Sequence, residues 1–368
     1  MGIKILLLLL FFGSMIAIGL YSRKHASSVA GFVLGGRNVG PWLTAFAYGT
    51  SYFSAVVFVG YAGQFGWKYG LSSTWIGIGN AFIGSLLAWV ILGRRTRVMT
   101  KYLHAATMPD FFGKRFESNA LRIAASAIVF IFLVPYTASI YNGLSRLFGL
   151  AFDIPYSVCV IVMAALTGAY VILGGYMATA INDFIQGIIM LLGIVAVIGA
   201  VLSGQGGFMA AVGKLAELNS DVPVTMGQPG AFTSFFGPDP LNLLGVVILT
   251  SLGTWGLPQM VQKFYAIKSE KAISTGTVIS TVFAIVISGG CYFLGGFGRL
   301  FDNPSLYKED GSVIYDGVIP YMLSTLPDVL IGIVIVLVLS ASMSTLSSLV
   351  LTSSSTLTLD FIKGNLVK

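Results

Sequence analysis

The chain has 368 residues, 21 Lys and Arg against 14 Asp and Glu, and a net charge of +7, yet only 10% of it is charged and 56% is hydrophobic. A soluble globular domain carries about 25% charge, so with a mean hydropathy of +0.87 this composition excludes a soluble protein. It describes an integral protein of the lipid bilayer, whose positive balance follows from its loops without any nucleic acid partner.

Residues 3–22 form the first span. Lys4 precedes its apolar run while Arg23 and Lys24 follow it, the reverse of a signal peptide, so the helix is retained with its N-terminus outside. Further spans lie near 42–66, 72–93, 119–147, 155–175, 183–203, 241–265, 273–299 and 329–355, which predicts an all-α polytopic fold of about nine helices. Fifteen of the 21 Lys and Arg residues then fall on the inner side, Lys263 and Lys268 among them, and six on the outer side: Lys4, Lys68, Arg146, Lys214, Arg299 and Lys308. That asymmetry places Lys368 in the cytoplasm of a cell-membrane protein. The inner loop 94–118 contains a short surface helix, and the Gly/Pro/Asp-rich loops 204–240 and 300–328 cap the outer mouth. Cys159 and Cys291 lie in apolar runs and read as buried small residues. His25 and His104 lie in polar loops, which argues against a histidine metal site.

Two spans are interrupted. One carries Gly49-Thr50-Ser51-Tyr52-Phe53-Ser54 at its middle, and the other carries Gly253, Gly256 and Pro258. Broken helices in matching positions of two repeats point to a transporter's midplane site, where freed carbonyls bind a cation and freed amides an anion. Kinked packing helices are the other reading. The last span, from Ile331, fills with hydroxyls: Ser340, Ser342, Ser344, Thr345, Ser347 and Ser348. Ala341, Ser344, Thr345 and Ser348 share a helical face. Uncharged oxygens in a row suit a hard, weakly held cation such as Na⁺, and small hydroxyl residues also suit close helix packing.

Four stretches resemble the sodium:solute symporter family, which includes proline, pantothenate and sugar symporters. They are LGGRNVGPWLTAFAYGTSYFS at 34–54, GGYMATAINDFIQG at 174–187, GLPQMVQKFYAIKS at 256–269 and ASMSTLSS at 341–348. Gln259 stands where the family usually has His. The resemblance implies a leucine-transporter-type core of two inverted five-helix repeats after an extra N-terminal helix. It divides the chain into 1–30, the extra helix; 41–203, the first repeat; and 240–368, a partial second repeat, with the last core helices missing from an apparently truncated C-terminus.

The resemblance also implies a Na⁺ site at the carbonyls of Thr50, Phe53 and Ala341 and the hydroxyls of Ser344 and Thr345. Some members hold a second Na⁺ with an Asp and two serines, matched here by Asp183, Ser347 and Ser348. Asp183 is read as the one carboxylate within the core near the inner face, and with Gln186 it equally spells a helix-capping box. Tyr52, Ser54, Thr254 and Trp255, between the two breaks, are candidates for the solute, Trp255 equally for packing. No Lys or Arg is expected mid-span. Proline-transporting relatives have aromatic residues at the positions of Thr250 and Thr254. Sialic-acid-type relatives have Arg at that of Pro135. The sequence therefore points to a Na⁺-coupled symporter importing a small organic solute by alternating access, with neither of those solutes indicated. The alternative is a non-transporting sensor or channel-like variant of the fold. No nucleophile–base set or His/Cys/Asp cluster suggests an enzyme.

Overall fold

A computed structural model describes residues 2–152 and 155–366, nearly all of them in helices. Lys368 lies outside the described residues, and the side chains of Lys4 and Arg146 are not described. In chain order the helices are α1 (Gly2–Ser22), α2 (Val29–Leu34), α3 (Pro41–Tyr52) and α4 (Val56–Tyr61 running on as Ala62–Tyr69). α5 runs from Thr74–Gly79 through Asn80–Leu87 and Trp89–Gly93 to Arg94–Tyr102. Then come α6 (Met108–Arg115), α7 (Asn119–Phe152), α8 (Tyr156–Gly204), α9 (Phe208–Glu217), α10 (Pro240–Gly253) and α11 (Pro258–Ala266). α12 is Glu270–Ala284 with Ile285–Gly289 and Gly290–Gly295, α13 is Tyr315–Ser324, and α14 is Asp328–Ser355 continuing as Thr356–Leu366.

Among the described residues, six helices are long and apolar enough to cross a membrane, and the bent pair α10–α11 makes up to seven. The nine expected spans differ from that count for a physical reason. Two of the six, Val56–Tyr102 and Tyr156–Gly204, are 47 and 49 residues long. A straight helix of that length would reach about 70 Å, more than twice the roughly 30 Å of a bilayer's hydrocarbon. Each is divided at a glycine, Gly70 (φ 60°, ψ −142°) and Gly175 (φ 52°, ψ −146°), in a region essentially closed to residues with a Cβ. The chain then passes its neighbour twice. Before Gly175, the Tyr170 hydroxyl donates to the Met343 carbonyl at 3.2 Å. After it, Met190 and Ile194 face Leu337 and Ala341 across a small cavity.

α14 lies at the centre. Ser340, Ser342, Ser344, Thr345 and Ser347 are fully buried and Ser348 is 2% exposed, so the hydroxyl-rich stretch of this helix is enclosed by protein. The Pro41 end of α3 and the Ala266 end of α11 are tied together. Val39 N donates to the Ala266 carbonyl at 3.2 Å, and Lys268 N to the Val39 carbonyl at 3.0 Å. Arg37 bonds the carbonyls of Tyr265, Thr100 and Ala105 around the same point. The short loop helix α6 is capped by Thr107, which accepts from Asp110 N and donates to Asp360 Oδ2 at 2.6 Å. Asp360 is 2% exposed, so Asp183 is not the one buried carboxylate on this side. The sequence leaves Asp360 in a tail because its run looks polar, whereas the structure continues α14 through it.

Candidate functional site

α3 ends because its ladder runs out. Phe53 N still reaches the Gly49 carbonyl at 3.2 Å, but Ser54 N turns back to the Tyr52 carbonyl at 3.2 Å. The Thr50 carbonyl thereby loses its fourth-residue donor and becomes one of the orphans of a helix C-terminus. Ser54 restarts the chain as a cap, its hydroxyl accepting from Val56 N at 3.2 Å. The second break follows from Pro258. Proline disfavours helical geometry in the residue before it, Leu257 is extended (φ −70°, ψ 118°), and Pro258 opens α11 at its first position. The two halves meet at 51°.

The orphaned Thr50 carbonyl meets the hydroxyl helix. Ser344 Oγ and Thr345 Oγ1 each lie 3.1 Å from it, and each also lies 3.1 Å from the Ala341 carbonyl. Four uncharged oxygens thus form a closed ring between a helix break and an intact helix, all on buried residues. A hard cation can touch all corners of such a ring, as Ca²⁺, an ion of similar size to Na⁺, touches oxygens at about 2.3–2.6 Å. The fifth expected oxygen, the Phe53 carbonyl, accepts no hydrogen bond from Ser344 or Thr345, whose hydroxyls go to Thr50 and Ala341. Phe53 and Ala341 instead line an adjoining enclosed cavity of about 10 Å³ with Ser54, Val57 and Met190. Ser340 and Ser342 donate to carbonyls of their own helix at 2.7 Å, which is packing.

Of Asp183, Ser347 and Ser348, the first and last meet the same lysine and Ser347 turns away. Asp183 sits inside α8, eight residues past Gly175, and so caps no helix. The capping-box reading fails because the helix begins at Tyr176 without it. The carboxylate is fully buried, and neither of its oxygens has a hydrogen-bond partner among the described residues. Its nearest charge is Lys263, whose Nζ lies 3.7 Å from Asp183 Oδ2. Lys263 Nζ also donates to Ser348 Oγ at 3.0 Å, and Ser348 Oγ lies 2.8 Å from Ser51 Oγ. Ser347 turns its hydroxyl to the Ser344 carbonyl at 2.9 Å. Lys263, grouped in the sequence with the loop cations, is instead 2% exposed and lies on α11 against α14. The sequence groups it with Lys268 as a loop cation because α11 is short and ends three residues later. One turn earlier, Gln259 is fully buried with neither amide atom paired among the described residues.

Between the breaks lies a cavity of about 330 Å³. Tyr52, Ser54 and Thr254 line it, together with Tyr61, Tyr136, Ser139, Thr250 and Tyr292, and among the described residues no charged side chain does. The Tyr52 hydroxyl donates to the Thr250 carbonyl at 2.9 Å, linking the two broken helices directly. Trp255 does not line this cavity. Its indole N–H donates to the Ile83 carbonyl at 2.9 Å and it packs against a buried cluster that includes Tyr48 and Trp89, which is the packing alternative. Tyr136 and Tyr292 carry no local signal in sequence; only the fold brings them to the cavity.

A profile of the sodium:solute symporter family matches residues 32–366. The sodium/proline symporters of Staphylococcus aureus strains JH9 and JH1 are each 32% identical over 365 residues, spanning 97% of this chain and 68% of theirs. Among solved structures, a Na⁺-coupled sialic acid symporter in a substrate-bound outward-open state, reported with a novel Na⁺ site, superposes with a TM-score of 0.82 at 18% identity. The match covers 99% of this chain and 74% of that one.

Proposed function

The chain belongs to the sodium:solute symporter family, and on that premise we propose how its residues carry out Na⁺-coupled symport. Na⁺ is the co-transported ion and a small solute the cargo of this multi-pass membrane protein. The observation that carries the reading is the ring of Thr50, Ala341, Ser344 and Thr345 oxygens at one helix break. Neutral ligands hold an ion weakly enough to release it, and binding joins α3 to α14, so the ion and the conformation of the break are linked. In this reading the Phe53 carbonyl supplies the fifth oxygen.

The solute occupies the cavity between the breaks, with Tyr52, Ser54 and Thr254 as its contacts and Tyr136 and Tyr292 as aromatic walls. Aromatic faces there take the apolar body of a solute, and hydroxyls fix its polar groups. The described residues that line the cavity are uncharged, which suits a neutral or zwitterionic solute. The Staphylococcus aureus relatives are named for proline, which makes proline the first solute to try. Residues 41–203 serve as one repeat and 240–368 as part of the second, with 1–30 outside them. The N-terminus faces out and residue 368 the cytoplasm of the cell membrane.

The test is uptake into proteoliposomes of a labelled panel of proline, other amino acids, organic acids and sugars under an inward Na⁺ gradient. One class should accumulate, and accumulation should cease when K⁺ replaces Na⁺. Equal uptake in both salts would contradict coupling to Na⁺.

A further inference from the structure

Where α5 ends and α12 begins there is a cavity of about 800 Å³, and four cations line it: Arg97, Lys101, Lys268 and Lys271. None of the four pairs with a carboxylate among the described residues. Glu270 lines the cavity too, but its carboxylate already accepts from Arg94 Nε at 2.5 Å. Arg97 is what a bare surface patch lacks. It is 5% exposed, its Nε donates to the Ile267 carbonyl at 2.5 Å and its Nη2 to the Lys268 carbonyl at 3.4 Å, and its Nη1 has no partner among the described residues. A buried charge without a counter-ion is costly, so a guanidinium held this firmly asks for an anion from outside the chain. The first part of α12, a helix of 15 residues, starts at Glu270 and adds the positive end of its dipole.

The depth of the cavity identifies the anion. The stretch Thr74–Gly93 of α5 rises about 30 Å, the thickness of a bilayer's hydrocarbon. Arg94–Tyr102, which supplies Arg97 and Lys101, then lies at the level of the lipid phosphates, on the side that the loop charges assign to the cytoplasm. Val98 and Tyr102 line the same cavity and are 45% and 83% exposed, an apolar and an amphipathic group beside the cations, as suits a membrane interface. We propose that this cavity binds the phosphate headgroup of an anionic phospholipid of the cytoplasmic leaflet, with Arg97 as the fixed cation and Lys101, Lys268 and Lys271 closing round it. Basic pockets between helices on that side of a membrane suit such headgroups. The same guanidinium carries the effect inward. Ile267, whose carbonyl Arg97 holds, forms the bridge to Val39 that ties the Pro41 end of α3 to the Ala266 end of α11, so a lipid at Arg97 stabilises that tie. The site uses neither Na⁺ nor solute and stands apart from the preceding reading.

The test is the melting temperature of the purified full chain in nanodiscs of phosphatidylcholine with rising phosphatidylglycerol, in choline buffer without Na⁺ or solute, with retained lipid counted by native mass spectrometry. Phosphatidylglycerol should raise the midpoint to a plateau, with one lipid held per chain. Each lysine near the surface is worth about five-fold in affinity for an anionic lipid, so Lys101→Gln, Lys268→Gln and Lys271→Gln together should weaken binding about a hundred-fold. Arg23→Gln, Lys24→Gln and Arg115→Gln remove the same charge outside the cavity and should keep both the shift and the lipid. Inorganic phosphate added to the chain in phosphatidylcholine alone should give no shift. Equal losses in the two triple variants would overturn the proposal in favour of general surface charge, and a full shift with inorganic phosphate would overturn the lipid as the source. All six substitutions fall on exposed side chains. The wild-type titration decides even where a variant does not fold, since no shift and no retained lipid there would also overturn the proposal.

Discussion

A hydroxyl has one proton, yet Ser344 and Thr345 each face two carbonyls at 3.1 Å. Without a cation each can satisfy one of them at a time; with one, all four oxygens turn lone pairs to the ion. Each hydroxyl is worth about 1 kcal/mol if its contribution is that of an ordinary hydrogen bond, and 1.4 kcal/mol is tenfold. Ser344→Ala and Thr345→Ala should therefore each raise the half-saturating Na⁺ concentration about five-fold, read from Na⁺ titration of the melting temperature. At the buried pair, removing one partner of an ion pair costs about 3–5 kcal/mol, whereas replacing both with apolar groups is often neutral. Asp183→Leu should thus melt well below the wild type, and Asp183→Leu with Lys263→Met should recover most of the loss. The shared face of Ala341, Ser344 and Thr345 is legible because a hydroxyl stripe is a local signal, while the pairing of that face with Thr50 comes from the family resemblance. Lys263 was not legible, because nothing in QKFYAIKS separates a buried lysine from a loop lysine. Only the seating of α11 against α14 does.

The helices divide by how they are broken. Pro258 announces the second break in the sequence, and the structure bends there by 51°. The first break falls at Phe53 and Ser54, where no proline or glycine stands. The motif around it was legible, and its position to the residue was not, since it depends on Ser54 N turning back to Tyr52. Ser54→Ala removes the cap of α4 and should cost about 1 kcal/mol, seen as a lower melting temperature. The long helices carry their divisions in single glycines. At Gly175 the backbone has φ 52°, and an added Cβ would lie 2.7 Å from the Phe32 carbonyl oxygen. Gly175→Ala combines a forbidden conformation with a clash and should destabilise by about 1–3 kcal/mol or more, while Gly168→Ala, with open space around it, should not. Hydropathy found the spans on each side of Gly175, but it could not tell which of the many glycines turns the chain.

Over the whole molecule, the charge of the loops sets the orientation. The two native cysteines are buried and free, so an introduced thiol reports its own side. In intact cells an impermeant maleimide should label Glu309→Cys and spare Lys271→Cys, both at exposed positions; the reverse pattern would invert the topology. The Pro41 end of α3 and the Ala266 end of α11 are held by the Val39–Ile267 bridge and the Arg37 bonds, so movement at the breaks must either open these ties or carry them along. The central claim is that the oxygen ring joining α3 to α14 binds Na⁺ and is stabilised by it. Its most direct test is the melting temperature of the purified chain in rising NaCl, KCl and choline chloride, for the wild type and for Ser344→Ala combined with Thr345→Ala. Na⁺ should raise the wild-type midpoint more than K⁺ or choline does, and that difference should vanish in the double variant. An equal shift with K⁺, or an unchanged Na⁺ response in the double variant, would contradict the claim and return α14 to a packing role.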